Sequence, residues 1–257
     1  MDRYAALFAE STGVFVPFLM LGDPSYEKSK ELIRTAVHNG ADALELGIAF
    51  SDPVADGPTI QKAHLRAMDT TPARALELVK EIREEFPNLP IGLLVYGNVA
   101  FSMGFDEFYA AVAAAGADSV LIPDVPVRES APFREAAQRH GISQVFIAPP
   151  HSSQETLQMV AEHSEGYIYA VSRNGVTGTE REARFESIGD TVANAHTPVL
   201  LGFGVSTPAH VEAALEAGAD GAIVGSALVK LIEEERYEDF ASAVAALKAA
   251  THTGKQG

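Results

Sequence analysis

Eight short runs with the composition of β-strands alternate with amphipathic helical patterns along this chain of 257 residues. Strands that alternate with helices pair in parallel, and eight of them are enough to close a barrel. We therefore predict an α/β fold, a (β/α)8 TIM barrel formed by residues 1–257 as one domain. A short N-terminal helix should cover the barrel mouth at the amino ends of the strands, and long loops should follow strands 2 and 6. The predicted strands are 14–21, 43–50, 91–96, 119–123, 144–148, 166–172, 198–202 and 221–224.

Three of the helical patterns end in Gly-Ala-Asp directly before a strand, at 40–42, 116–118 and 218–220. Glycine is favoured just after the last turn of a helix, so the motif indicates a repeated helix-to-strand unit. The alternative is an open doubly wound sheet, which usually carries Gly-x-Gly-x-x-Gly after its first strand. The first strand here ends in Leu-Gly-Asp-Pro (21–24), which favours the barrel.

The composition limits the partners and the compartment. Lys and Arg number 19 against 35 Asp and Glu, and the net charge of −16 argues against a nucleic-acid partner. No apolar run reaches the ~18 residues of a membrane span, and residues 1–11 lack the apolar core of a signal peptide. There are no cysteines, which excludes disulfides and thiol chemistry. We expect a cytoplasmic protein with no membrane partner.

Glu45 is an acidic residue within an otherwise apolar strand. Because side chains alternate along a strand, Leu44, Leu46 and Ile48 share one face and Glu45 lies on the other. A buried carboxylate is costly unless it is paired, hydrated or used, and no Lys or Arg occupies a predicted inward position. Desolvation should raise its pKa toward the range of general acid–base catalysis. The alternative is a carboxylate neutralised within the core.

Asp56 lies in the loop after the second strand, among prolines and glycines. From this loop its side chain can reach the same barrel mouth as Glu45, which would give a pair of carboxylates. Aspartate is also favoured as a turn residue before Gly57-Pro58. The residues alone leave both interpretations open.

Glycines follow the seventh and eighth strands, where barrels of this type often bind phosphate. Gly204 belongs to the segment 202–206, and Gly225 with Ser226 opens a helix. Glycine lets backbone N–H groups approach an anion, and a helix N-terminus adds its dipole. Gly178, in the loop after strand 6, could close a third side. Tight turns without a ligand are the alternative reading of these glycines.

Apolar and aromatic side chains at the strand ends would suit an aromatic phosphate ester; they are Phe18, Leu94, Tyr96, Ile147 and Tyr169. The eight histidines lack the spacing of metal ligands, so we predict no metal site. No lysine occupies an inward strand position, which disfavours a Schiff-base aldolase.

The segment 44–61 closely resembles the signature of the tryptophan synthase α-subunit family. Further segments resemble motifs of that family and occur in its order: 15–18, 21–24, 124–126, 172–178 and 202–204. The resemblance implies a lyase of tryptophan biosynthesis that cleaves indole-3-glycerol phosphate into indole and glyceraldehyde 3-phosphate. It also implies no cofactor in this chain and a β-subunit partner, in an α2β2 complex, that carries pyridoxal phosphate and receives the indole through a tunnel.

The resemblance assigns roles to the candidate residues. Glu45 would protonate the indole carbon that bears the glycerol chain and then accept the proton of the adjacent hydroxyl. Asp56 would stabilise the positive charge on the indole nitrogen and accept its N–H, and Thr177 of a closing loop would meet Asp56. Other implied substrate contacts are Tyr169 beside the substrate, Phe18, Leu94 and Ile147 around the indole, and Gly178, Gly204, Gly225 and Ser226 around the phosphate.

Three positions depart from the family pattern, and none removes a catalytic group. Ala49 replaces a usual proline, Met20 a common threonine and His151 a common asparagine. One alternative function is a catalytically weak, phosphate-ester-binding subunit that serves mainly to activate its partner. Another is a different phosphate-sugar barrel enzyme, an isomerase or a synthase; the missing inward lysine argues against the synthase.

Overall fold

The computed structural model describes residues 2–11, 13–171 and 188–252. Within these ranges eight parallel strands pair in sequential order, and the last strand pairs with the first to close a barrel. This confirms the predicted fold class. The strands are β1 Val14–Met20, β2 Leu44–Gly47, β3 Ile91–Leu94, β4 Ser119–Leu121, β5 Ser143–Ala148, β6 Ile168–Val171, β7 Val199–Gly202 and β8 Gly221–Val224.

Helices surround the barrel and fill the connections between strands. In the described ranges they are α1 Arg3–Glu10, α2 Tyr26–His38, α3 Pro58–Arg66, α4 Pro72–Glu85, α5 Gly97–Met103, α6 Phe105–Ala115, α7 Ala131–His140, α8 Gln154–His163, α9 Gly189–Asn194, α10 Pro208–Glu216, α11 Ser226–Glu233 and α12 Tyr237–Ala250, with a 3₁₀ turn at Val127–Glu129. None of these helices combines the length and the apolar composition needed to cross a membrane.

Of the two long loops predicted from the sequence, the structure describes the one after β2 but not the one after strand 6. Residues 48–57 form the loop between β2 and α3, as expected. The predicted loop after strand 6, residues 173–180, lies outside the described ranges.

Alternate side chains of each strand point into the barrel or toward the helices. On β2, Leu44 and Leu46 belong to the apolar layer between the strands and the helices, and Ile48 follows in the same layer. Ala43 belongs to the barrel interior, and Glu45 shares its face. The alternation predicted for this segment is therefore observed.

Helix α1 closes the mouth at the amino ends of the strands. Asp2 caps it by accepting the Ala5 N–H at 3.0 Å. Tyr4 is buried in the barrel interior, its hydroxyl 2.8 Å from Ser119 Oγ and its ring edge-to-face with Tyr167. The loop 48–57 begins at the opposite mouth, at the carboxyl ends of the strands.

The aspartate of each Gly-Ala-Asp motif joins two neighbouring strands through two hydrogen bonds to one residue. The Asp42 N–H donates to the Phe15 carbonyl at 3.0 Å, and Asp42 Oδ2 accepts the Phe15 N–H at 2.8 Å. Asp118 repeats this arrangement with Ile91 at 2.7 and 2.8 Å. Asp220 repeats it with Val199 at 2.8 and 2.9 Å. We call these three pairs the aspartate clamps.

Two of the clamps carry an additional positive charge. Lys248 Nζ lies 2.8 Å from Asp42, and Arg3 and Arg83 each lie 2.7 Å from Asp118. Asp220 makes its clamp with no ion pair among the described residues. It therefore isolates the contribution of the carboxylate-to-backbone hydrogen bond.

Asp220→Ala should lower the free energy of unfolding by about 1–3 kcal/mol, because it leaves the part-buried Val199 N–H without its acceptor. Asp220→Asn is the matched control, since its amide oxygen can still accept the bond. Urea unfolding of the three proteins measures the difference. Equal midpoints for the alanine and asparagine variants would contradict a role for the acceptor oxygen.

Candidate active site

A cavity opens at the carboxyl ends of the strands. This is the face on which barrels of this type carry their sites. The cavity holds two carboxylates on an otherwise mostly apolar wall. Its lining residues are Phe18, Glu45, Ala55, Asp56, Ile60, Leu94, Leu121, Pro123, Ile147, Tyr169, Phe203, Gly204, Val205, Ile223, Gly225 and Ser226.

Glu45 occupies the barrel interior on β2, directly beside Phe18 of β1 in the strand register. Its side chain is buried, and the Tyr167 hydroxyl donates to its Oε1 at 3.1 Å. Burial raises the pKa of Glu45 to about 8 and the charge of Asp56 acts in the same direction, whereas the Tyr167 hydrogen bond lowers it. At neutral pH the carboxyl group therefore holds a proton that it can donate.

Asp56 is buried at the end of the loop from β2, just before α3. Its backbone N–H closes a turn onto the Pro53 carbonyl at 3.1 Å, while its carboxylate lines the cavity. The Tyr96 hydroxyl donates to Oδ2 at 2.8 Å, and His64 Nε2 lies 3.1 Å from the same oxygen. Asp56 thus both closes a turn and lines the cavity.

The glycines after β7 and β8 form one end of the cavity. Gly204 has a φ of +91°, a left-handed conformation that suits glycine, and Gly225 is the N-cap of α11. Ser226 is the first residue of that helix, where N–H groups point out of the helix. No Lys or Arg lines the cavity in the described part of the chain, so an anion here would be bound by backbone N–H groups and the helix dipole.

The structure brings nine of the predicted site residues to this cavity: Phe18, Glu45, Asp56, Leu94, Ile147, Tyr169, Gly204, Gly225 and Ser226. Tyr96 is fully buried and contacts Asp56 through its hydroxyl, so it supports the wall and does not itself line it. Thr177 and Gly178 lie outside the described residues.

Two functional contacts were not predicted from the sequence. Tyr167 shares a strand face with Tyr169, a signal that places it in the barrel interior but does not reveal its contact with Glu45 across the barrel. His64 lies in a helical pattern of ordinary composition, and no local signal indicates its contact with Asp56. In the described ranges no group of three or more His, Asp or Glu side chains is arranged to hold a metal ion.

The family model described as "Tryptophan synthase alpha chain" matches residues 4–256. The chain belongs to the tryptophan synthase alpha chain family. It is 58% identical over 243 residues to the tryptophan synthase alpha chain of Corynebacterium diphtheriae, covering 91% of this chain and 87% of that protein. Family membership excludes a different phosphate-sugar barrel enzyme.

Solved structures from this family have the same fold. Tryptophan synthase from Mycobacterium tuberculosis superposes with a TM-score of 0.88 at 30% identity, covering 98% of this chain and 97% of that chain. A chain of the tryptophan synthase complex from Pyrococcus furiosus superposes with a TM-score of 0.85 at 35% identity, covering 93% and 99%. Enzymes of this alpha chain family are lyases of tryptophan biosynthesis that cleave indole-3-glycerol phosphate into indole and glyceraldehyde 3-phosphate, and this chain is one of them.

Glu45→Gln should stabilise the fold increasingly as the pH rises from about 5 to about 8. The unfolded chain loses the Glu45 proton near the ordinary value of 4.5, whereas the folded protein keeps it up to about 8. In this window Glu45 makes the wild type less stable as the pH rises, by about 1.4 kcal/mol per pH unit at most, and the glutamine variant lacks this contribution.

Urea midpoints of both proteins across this pH range measure the effect. Glu10→Gln, at an exposed carboxylate of α1, is the matched control. A difference between wild type and Glu45→Gln that stays constant with pH would contradict the raised pKa of Glu45.

Gly225→Val should weaken the binding of glycerol phosphate by about tenfold or more, because it crowds N–H groups whose hydrogen bonds to a charged ligand contribute about 1.5–3 kcal/mol each. A Cβ at Gly225 would already lie 3.3 Å from the Phe18 side chain. Gly189→Val is the control, since its Cβ would meet nothing within 4 Å in the described ranges. Calorimetric titration gives the affinities, and equal affinity in Gly225→Val and Gly189→Val would place the phosphate elsewhere.

Proposed function

We propose that Glu45 is the general acid and base, and Asp56 the charge partner of the indole nitrogen, in the cleavage of indole-3-glycerol phosphate by this protein. The observation that carries the proposal is the pairing of two unlike carboxylates in one cavity. Burial keeps a proton on Glu45 near neutral pH. Asp56 receives hydrogen bonds from its surroundings, as suits a carboxylate that carries charge.

The reaction proceeds in two proton transfers. Glu45 first donates its proton to the indole carbon that bears the glycerol chain, which places positive charge on the ring nitrogen next to Asp56. The bond between that carbon and the chain then breaks, and its electron pair returns to the ring. The proton of the adjacent hydroxyl passes to the Glu45 carboxylate, which leaves indole, an aldehyde and a reprotonated Glu45.

The remaining walls of the cavity fit the two halves of the substrate. Phe18, Leu94 and Ile147 would contact the indole ring, and Tyr169 would lie beside it. Gly204, Gly225 and Ser226 would bind the phosphate through backbone N–H groups. We assign Thr177 and Gly178 to the closing loop and the third side of the phosphate site; both lie outside the described residues.

The protein pairs with a β subunit, as the alpha chain does in the α2β2 complex of Pyrococcus furiosus. This chain needs no cofactor for its own reaction, because the pyridoxal phosphate belongs to the β subunit.

Val54 and Phe101 are 73% and 69% exposed, and both lie in segments that follow strand carboxyl ends. These apolar side chains support docking of the partner over the mouth of the cavity. We place this assembly in the cytoplasm.

Glu45→Gln should reduce indole release by about 10²–10⁴-fold, the usual cost of losing a general acid and base, while glycerol phosphate still binds.

Asp56→Asn should lower kcat severely and KM only slightly, because the charge matters most once the indole nitrogen is cationic. Steady-state assays of indole release, each with and without a β subunit, measure both variants. Glu45→Gln activity within about tenfold of wild type would contradict the assignment of Glu45. If the wild-type protein itself released indole slowly, and only in the presence of the β subunit, the result would favour its alternative role as an activator of that partner.

A further inference from the structure

His64 contacts two groups of the loop that carries Asp56. It lies on α3 and is buried. Its Nδ1 accepts the backbone N–H of Phe50 at 3.0 Å, and its Nε2 lies 3.1 Å from Asp56 Oδ2. Since the lone pair of Nδ1 is occupied by the Phe50 donor, the ring proton must reside on Nε2. His64 is therefore a neutral donor to Asp56.

Tyr96 makes the same kind of link from the other side of Asp56. Its hydroxyl accepts the backbone N–H of Ala55 at 3.0 Å and donates to Asp56 Oδ2 at 2.8 Å. Burial and the nearby Asp56 charge raise the pKa of Tyr96, so the hydroxyl keeps its proton. The rings of His64 and Tyr96 meet edge to face, and Phe50 stacks on Tyr96.

Both donors thus end on one oxygen of Asp56. Oδ1 receives no hydrogen bond from the residues that the structure describes, and the carboxylate lines the cavity. The backbone N–H groups of Phe50 and Ala55, near the two ends of the loop, fix the direction of both hydrogen bonds. We call this set the Asp56 relay: Phe50 N–H, His64, Asp56 Oδ2, Tyr96 and Ala55 N–H.

We propose that His64 is a positioning residue, which acts with Tyr96 to hold Asp56 Oδ2 and to present Oδ1 to the substrate N–H. The inference rests on the role proposed for Asp56 above. A neutral donor is needed here because a protonated imidazole would cancel the negative charge that must face the indole cation. The Phe50 N–H serves this purpose because it donates to Nδ1, the nitrogen that would have to carry the second proton.

Two substitutions separate the two hydrogen bonds of His64. In His64→Gln the amide nitrogen can reach the place of Nε2, which keeps the donor to Asp56. In His64→Asn the amide oxygen falls near the place of Nδ1, which keeps the acceptor for Phe50 and loses the donor. We expect His64→Asn to lower kcat by roughly 10–100-fold with KM changed less than about threefold, because misplacement of a catalytic group by about 1 Å has a cost of this size.

His64→Gln should retain kcat within about fivefold of wild type. Equal losses in both variants, or a normal kcat in His64→Asn, would overturn the proposal and leave His64 as a structural anchor of the loop. Thermal unfolding of both variants shows whether each is folded at the assay temperature.

A double-mutant cycle with Asp56→Asn decides whether His64 acts through Asp56. If it does, adding His64→Asn to Asp56→Asn causes no further loss of kcat, whereas independent effects multiply and overturn the inference. The cycle also separates the two proposals. A wild-type rate in Asp56→Asn counts against the role of Asp56, while a slow Asp56→Asn with an unimpaired His64→Asn counts against His64 alone.

The ring nitrogens of His64 give a readout that is independent of activity. In a ¹⁵N-histidine-labelled protein near neutral pH, with His64→Gln used to assign the signal, the long-range ¹H–¹⁵N spectrum should show a neutral ring with its proton on Nε2. A ring protonated on Nδ1, or on both nitrogens, would overturn the proposed relay.

Discussion

The aspartate clamps set the strand register on which the rest of the barrel depends. Asp42 bonds to Phe15 at the amino end of the β1–β2 pair, and three residues further along both strands Phe18 lies beside Glu45. The clamp between Asp118 and Ile91 has the same effect on β3 and β4, where it sets Leu94 beside Leu121. Because a slip of one residue would turn every inward side chain outward, hydrogen bonds at one end of the barrel determine the walls of the cavity at the other.

Because the clamps lie at the amino end of the barrel, the chain tolerates a destabilising buried carboxyl group in the cavity at the other end. A buried carboxyl group opposes folding, and Glu45 has a tyrosine donor but no cation among the described residues. The charges that would neutralise it lie instead at the amino end, where Arg3, Arg83 and Lys248 reinforce the clamps. Stabilising ion pairs thus lie at the amino end of the barrel, and the destabilising environment lies in the cavity, where burial raises the pKa of Glu45.

The parts of the site that follow from strand position could be predicted from the sequence. Period-two alternation places Glu45 inside the barrel, and the glycines reach the cavity because they directly follow β7 and β8. The surroundings of Asp56 could not be predicted in this way. His64 and Tyr96 are 8 and 40 residues from it, and they meet only because the backbone of the 48–57 loop folds over the barrel mouth. His151 is an intermediate case: it adopts a φ of +58°, a left-handed conformation in which histidine and asparagine are enriched, but the residue alone does not predict that conformation.

The two carboxylates differ because their elements differ. Glu45 is held by a strand in a dry interior, where burial dominates and a single donor contacts it, so it keeps its proton. Asp56 is held by a loop whose own backbone orients two donors toward one of its oxygens. Under the proposed mechanism, proton donation and charge stabilisation thereby fall to separate groups in one cavity, a division of roles that follows from environment since both are simple carboxylic acids. The loop contributes geometry as well as a residue: movement that breaks its N–H bonds to His64 or Tyr96 would also release Asp56 from its position in the cavity.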